Sequence, residues 1–364
     1  MEDVISNKIH SETKKKVRNS SIELLKIIAM IMIAISHSAQ RDEMFSEYIV
    51  YIAFIRQLGQ IGNAIFIICS AYFLVDSNKT KKEKIINIIL DSFTISMIFL
   101  IITLISGVNV SAETIIRQFI PISLGNNWFI SCYLLFYIIH PYLNIIIEKI
   151  DKKQFTRLSV GLLIYVFLQF LFKNKLYYSY LIGFVIIYFL VAYMKKYLIN
   201  FTKNIKLNLI ILIVSIILSF LVIVVTNQLG MKFDFFKDKI LYWNRFINFI
   251  LLAIAISMFN LFNSIKMKNK FINSIASLSL LFYLIHDNML FRDYIKPILY
   301  NNYFQYLPSY LWFLIEATIL FGGGVILGMI YKKTIQKITK KLSVRICGII
   351  KGIYLKIEKK ILMN

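Results

Sequence analysis

The sequence predicts an all-α fold: a polytopic membrane helical bundle of about ten transmembrane helices, with both termini cytoplasmic. Three observations predict it. The 364 residues are 58% hydrophobic, with a mean hydropathy of +0.69, far more apolar than a soluble domain of that length. The apolar stretches are continuous runs close to the ~20 residues a helix needs to cross hydrocarbon, not alternating barrel strands. Lys and Arg also concentrate in alternate loops. With only 4 Pro and 13 Gly, little of the chain can be linker.

In chain order the apolar segments lie at 20–39, 52–75, 85–106, 127–147, 156–172, 177–194, 206–226, 243–263, 274–292 and 309–331. Longer connections occupy 107–126 and 227–242. A cytoplasmic N-terminus puts 1–19, 76–84, 148–157, 195–206, 264–270 and 332–364 inside, and these hold 30 of the 42 Lys and Arg. Every inner segment then obeys the positive-inside rule. Three regions result: a basic cytoplasmic N-tail (1–19), a transmembrane domain (20–331) and a basic amphipathic cytoplasmic tail (332–364). Ile346, Ile349, Ile350, Ile353 and Leu355 give that tail an apolar side, as in a helix on the membrane surface.

The formal charge of +23 is therefore a topology device and an attraction to the lipid bilayer. No basic patch with groove-reading or stacking residues points to nucleic acid. Cys69, Cys132 and Cys347 are too few and scattered for a disulfide framework or a metal site. No repeat period and no soluble catalytic domain are visible. A rival reading makes the start a secretory signal, with Ser36, Ser38 and Ala39 after the apolar run, but no clean Ala-x-Ala follows.

The first span, "LLKIIAMIMIAISHSAQ", carries Lys26 and His37. At about 100° per residue, eleven residues end about 20° past three turns, so the two share a face. Glu23 sits one turn before Lys26 and can pair with it. His37 lies about 16 Å beyond Lys26 along the axis. Two readings stand. Lys26 snorkels to the inner surface and His37 marks the outer interface, or the stripe faces the bundle and carries function.

Further along, "GNAIFIICSAYFLVDSNKTKK" (Gly62 to Lys82) leads into a basic loop. "NNWFISCYLLFYIIHPYLN" (Asn126 to Asn144) has Trp, Tyr and Pro within one apolar run, and "LFYLIHDNML" ends in a His–Asp pair. In this order, with "SIELLKIIAMIMIAISH", these stretches resemble the acyltransferase-3 family of membrane acyltransferases. That family shows an arginine, ten residues, then a histidine in its opening helix. Lys26 stands where the family has arginine and so lacks the planar fork. Ala71 replaces a glycine, and Lys79, Lys81 and Lys82 stand in place of arginines.

The resemblance implies a transmembrane acyltransferase domain in a bacterial cell membrane. Its expected reaction moves an acetyl group from acetyl-CoA to a hydroxyl of a cell-surface glycan or lipid-linked sugar. His37 would be base or acyl carrier, with Lys26 and Glu23 beside it. Asn127, Trp128, Tyr133, His286 and Asp287 would hold the acceptor, and Lys79, Lys81 and Lys82 the donor. Acetyl-CoA is a substrate here. No permanently bound cofactor and no metal are expected.

Arg56, Gln57, Gln60, Asn63, Glu316 and Arg245 add polarity at the depth of His37, which suggests an outward-opening wet cavity. Trp128, Tyr142 and Trp312 can equally be interface-belt aromatics. His140 before Pro141 is read as satisfying backbone freed by the proline, and Asp91 as pairing with Lys26 or Lys84. The competing function is a multi-pass transporter or flippase of an envelope precursor, although no inverted repeat is visible.

Overall fold

The computed structural model describes residues 19–39, 48–124, 127–171, 179–236, 239–299, 306 and 308–362. The N-tail 1–18 and Asn126 lie outside them. Among the described residues all regular structure is helical. The helices are α1 (Ser20–Ser38), α2 (Ile49–Leu74), α3 (Lys82–Ile105), α4 (Ala112–Phe119), α5 (Trp128–Lys149), α6 (Lys152–Leu171) and α7 (Tyr180–Tyr197). They continue as α8 (Ile199–Lys203), α9 (Ile205–Lys232), α10 (Phe249–Ser264), α11 (Lys270–Ala276), α12 (Ser279–His286), α13 (Lys296–Leu299), α14 (Ser309–Lys333) and α15 (Gln336–Leu362). A 3-10 turn at Asp234–Phe236 and a π-helical turn at Phe291–Ile295 complete the set.

Eight of these helices are long and apolar enough to cross a membrane, and the pair Lys270–His286 and Phe291–Ile298, bent by 59°, supplies a ninth candidate. α10, with 16 residues, is apolar but shorter than a usual span. Each of the ten predicted segments thus recurs as helix over most of its described residues. The segment 274–292 is not one straight span but a broken one. Asn288 explains the restart, because its side-chain oxygen accepts the Leu290 amide at 3.0 Å, as a cap does.

α1 is central. Its axial position is set by Asn19 and Ser20. Asn19 caps α1 by accepting the Ser21 amide at 3.1 Å and donates to the Ile265 carbonyl at 3.1 Å. The Ser20 hydroxyl accepts the Asn269 amide at 2.8 Å. Two glycines of α2 bring that helix against α1. A Cβ on Gly62 would stand 2.9 Å from the Ala29 carbonyl oxygen, and one on Gly59 would stand 2.5 Å from the Ser36 hydroxyl. Small residues of this kind are how membrane helices achieve close backbone contact.

α5 contains Pro141, which cannot donate to the carbonyl of Tyr137 four residues earlier. His140 takes over. Its Nδ1 lies 2.6 Å from that carbonyl oxygen and its Nε2 lies 3.0 Å from the Ser77 carbonyl. Asn144 then ties α5 to the end of α2, donating to the Leu74 and Ser77 carbonyls at 3.1 Å each.

Asp91 forms no ion pair with Lys26 or Lys84, contrary to expectation. It is fully buried and accepts hydrogen bonds from Asn87 (2.9 Å), Tyr331 (3.0 Å), Gln336 (3.1 Å) and Thr339 (2.7 Å). Neutral donors satisfy this carboxylate, so it needs no cation. The cluster fixes the start of α15 against α3. Cys347 further along α15 comes within electrostatic reach of Lys82 and Glu83 at the start of α3. The tail helix therefore packs lengthwise and antiparallel along α3.

Replacing Gly62 by Ala is expected to destabilise the protein by about 1–3 kcal/mol, because the Ala29 carbonyl cannot yield to a methyl group. Gly161→Ala, whose Cβ would meet nothing within 4 Å, is expected to be neutral. Thermal unfolding of the two variants in one detergent checks the contrast.

Candidate active site

The stripe on α1 faces the bundle. Glu23 is buried, and its carboxylate lies 3.2 Å from the Lys26 ammonium. Lys26 keeps about a fifth of its side-chain surface accessible and reaches a cavity of about 380 Å³. Met30 and Ala34 fill the stripe between the charged pair and His37, both fully buried. His37 itself is half-buried and stands outside the cavity lining.

The cavity begins among polar groups at the lysine-rich end of the bundle. Lys26, Lys84, Ser70, Ser277 and Tyr133 line it there, and Phe66, Phe129 and Phe282 form apolar wall. Lys84, one turn into α3, donates to the Tyr133 hydroxyl at 2.6 Å and lies 4.3 Å over the Tyr137 ring. Those contacts hold the ammonium by charge-assisted hydrogen bonding and cation–π attraction. Two cations thus reach one hollow, and Glu23 pairs with Lys26. The expected cavity was an outward-opening one. The cavity observed belongs instead to the lysine-rich end, because Lys26, Lys84 and Ser277 all stand near helix starts or loops on that side.

His286 also lines this cavity. It ends α12, where the broken span bends. Its ring stacks on Phe282 at 4.2 Å and 14°, and its Nδ1 lies 2.8 Å from the Phe282 carbonyl oxygen. A carbonyl can only accept, so Nδ1 carries the hydrogen and Nε2 of the neutral ring keeps its lone pair. Nε2 is buried and finds no hydrogen-bond partner among the described residues. The His37 ring meets the His286 ring edge to face, 5.2 Å between centroids and 80° between planes. Two imidazoles from α1 and α12 are thus in contact at the limit of the cavity.

Charged groups also bear on His37. Arg56 of α2, Arg292 of the π turn and Lys296 of α13 are the cations whose fields reach it. Each of the last two is answered by an acid. Lys296 pairs with buried Glu316 of α14, and Arg292 lies 2.7 Å from Asp293 and 3.5 Å from buried Asp287.

The remaining expected site residues separate into two groups. Tyr133 and His286 line the cavity, and Asp287 is one residue from His286. Asn127 and Trp128 do not line it. Asn127 is buried and donates to the Ser92 hydroxyl at 2.8 Å, pinning α5 to α3. Trp128 packs between Tyr180 and Phe246, with centroids at 4.4 Å and 6.2 Å. Lys79, Lys81 and Lys82 are exposed and outside the lining, and Lys84 occupies the place expected for them. Its signal was a lysine on the first apolar turn of α3. Trp312 is buried and so is no interface aromatic. Among the described residues no group of three or more His, Cys, Asp or Glu is arranged to hold a metal.

Residues 19–333 match the family model of an acyltransferase domain, acyltransferase-3. The chain belongs to the acyltransferase-3 family. No curated protein and no solved structure is detectably similar to it. As an acyltransferase-3 member it is a multi-pass membrane acyltransferase, and the matched region contains every residue of the cavity and of the histidine pair. The match ends at the last residue of α14, so α15 lies beyond the family domain.

Gly324 of α14 backs the pair. A Cβ there would stand 2.8 Å from the Phe282 ring on which His286 stacks. Gly324→Ala is expected to shift Phe282 and His286 and to lower acyl transfer about 10- to 100-fold, since displacement of that order is costly in catalysis. Gly322→Ala, with nothing within 4 Å, is expected to keep full activity. Rates on equal amounts of purified protein check this.

Proposed function

We propose that the protein is an O-acetyltransferase of the bacterial cell membrane, moving an acetyl group from cytoplasmic acetyl-CoA to a hydroxyl of a glycan or lipid-linked sugar. The observation that carries the reading is the cavity that starts at Lys26 and Lys84 and stops at the His286–His37 pair. With the lysine-rich end cytoplasmic, as the positive-inside rule requires, the polyanionic donor meets two ammonium groups at the entry. Its thioester arm, slender and largely uncharged, suits the apolar wall beyond.

The chemistry needs a base for the acceptor hydroxyl and neutralisation of the departing thiolate. His37, half-buried and outside the donor cavity, takes the hydroxyl proton. The alcohol oxygen bonds to the acetyl carbon, the C–S bond breaks, and the departing thiolate takes the proton back from the His37 imidazolium and leaves as the thiol toward the entry at Lys26. Glu23 holds the Lys26 ammonium in place. His286 stands against His37 with Asp287 next to it in the chain, and Tyr133 lies at the entry, bonded to Lys84. Asn127 and Trp128 act by holding α5 rather than by touching the acceptor. Lys79, Lys81 and Lys82 add positive potential at the entrance, with Lys84 making the direct contact.

One observation favours a transporter. Bent, interrupted spans are a common device of carriers, and the ninth candidate span has such a break. The two readings differ in product. His37→Ala is expected to lower acetyl transfer from labelled acetyl-CoA at least about 100-fold, the scale of a lost general base, with expression unchanged. Uptake of label into vesicles with no covalent product would overturn the enzyme reading.

Lys26→Arg is expected to retain activity and Lys26→Met to lose it, because the site needs the charge and Glu23 needs a partner. Equal activity of all three proteins would remove Lys26 from the mechanism. Mass spectrometry of envelope glycans from cells with and without the protein, read for an added acetyl mass, identifies the acceptor.

A further inference from the structure

The lysine-rich end holds a second cavity, larger than the first at about 580 Å³. It lies across α2 from the donor cavity. Tyr72 lines the second and Ser70 the first, and residues two apart on a helix point about 200° apart. Lysines enter it from three elements: Lys195 of α7, Lys203 at the end of α8, and Lys266 after α10.

Lys195 is engaged. Its ammonium lies 2.8 Å from Asp76, donates to the Tyr72 carbonyl at 2.6 Å, and sits 4.1 Å over the Tyr72 ring. Lys203 and Lys266 form no ion pair with any described residue. The Asn263 side chain, half-buried in the same lining, makes no hydrogen bond with a described residue either. Both lysines are exposed at the rim of the hollow, and two ammonium groups bordering one hollow give it a positive potential that favours an anion. The lining contains no His, Cys, Asp or Glu, so no imidazole, thiol or carboxylate stands there beside its hydroxyls to activate them. This is a place for binding, not for chemistry. Met194, Ile199 and Phe259 give the lining an apolar part.

We propose that this cavity binds a phosphate ester. The phosphate oxygens sit between Lys203 and Lys266 with Asn263 as a neutral donor, and the apolar wall receives the ester's attachment. Charge-assisted bonds from ammonium to phosphate are the strong kind. The volume is within the range of small-ligand sites. The phosphate can come from a phospholipid of the surrounding bilayer or from a soluble ester. The site does not depend on acyl transfer.

The test uses the full-length protein in detergent, titrated in native mass spectrometry with short-chain phosphatidylglycerol, with glycerol 3-phosphate, and with a phosphate-free diacylglycerol of the same chains. At least one phosphate probe is expected to bind, and the doubly substituted Lys203→Gln, Lys266→Gln protein to bind it at least about tenfold more weakly. Lys203→Arg with Lys266→Arg is expected to restore binding. Binding of the lipid alone identifies the bilayer as the source, and binding of glycerol 3-phosphate as well identifies a soluble ester. His37→Ala is expected to leave binding unchanged, which separates this site from the acetyl-transfer reading. Equal binding by the wild-type and glutamine proteins, or equal binding of diacylglycerol and phosphatidylglycerol, would overturn the proposal.

Discussion

The close approach of α1 and α2 is the constraint on which the rest of the molecule depends. In hydrocarbon, apolar side chains gain little by leaving lipid for protein, so helices associate through tight packing and polar contacts. Gly59 and Gly62 allow that packing, and the Ser36 hydroxyl adds a bond to the Arg56 carbonyl at 3.0 Å. With α1 so held, and its start clasped by the Ile265–Asn269 segment, Glu23, Lys26 and His37 take fixed depths and a fixed direction. The remaining site groups come from helices around this pair: Lys84 from α3, Tyr133 from α5 and His286 from α12.

The cavity has positive charge at one end and the two imidazoles of His286 and His37 at the other. Lys26 and Lys84 stand at the first end, and Glu23 pairs with Lys26. Around His37 the charges balance in pairs, Lys296 with Glu316 and Arg292 with Asp287 and Asp293. Paired charges are the usual condition for keeping ions inside a membrane protein. The break after His286 brings an imidazole, rather than helix backbone, against His37.

Much of this was legible in the sequence because helices announce themselves by length, apolarity and period. The Glu23–Lys26–His37 stripe follows from the helix turn alone, and the repair of Pro141 by His140 follows from a missing amide hydrogen. What was not legible depends on which helices meet. Three of the four partners of Asp91 lie some 240 residues away on α14 and α15, a distance no local pattern encodes. Lys84, rather than its neighbours Lys79, Lys81 and Lys82, reaches the cavity because α3 packs beside α1 and α5. Asn127 and Trp128 have the residue types of a sugar site, yet their neighbours give them packing roles. The break in the ninth span was present as Asp287–Asn288, but a window of hydropathy averages over a cap.

The clasp at Asn19 and Ser20 also bears on how the bundle meets membranes of different thickness. α1 has 19 residues, about 28 Å of helix, whereas α9 has 28 residues, about 42 Å. α9 is mostly outward-facing and highly apolar, while α1 is wedged and cannot slide along its axis. Mismatch with the hydrocarbon is therefore absorbed by tilt of the long peripheral helix, and the depth of Glu23, Lys26 and His37 stays constant as the lipid varies.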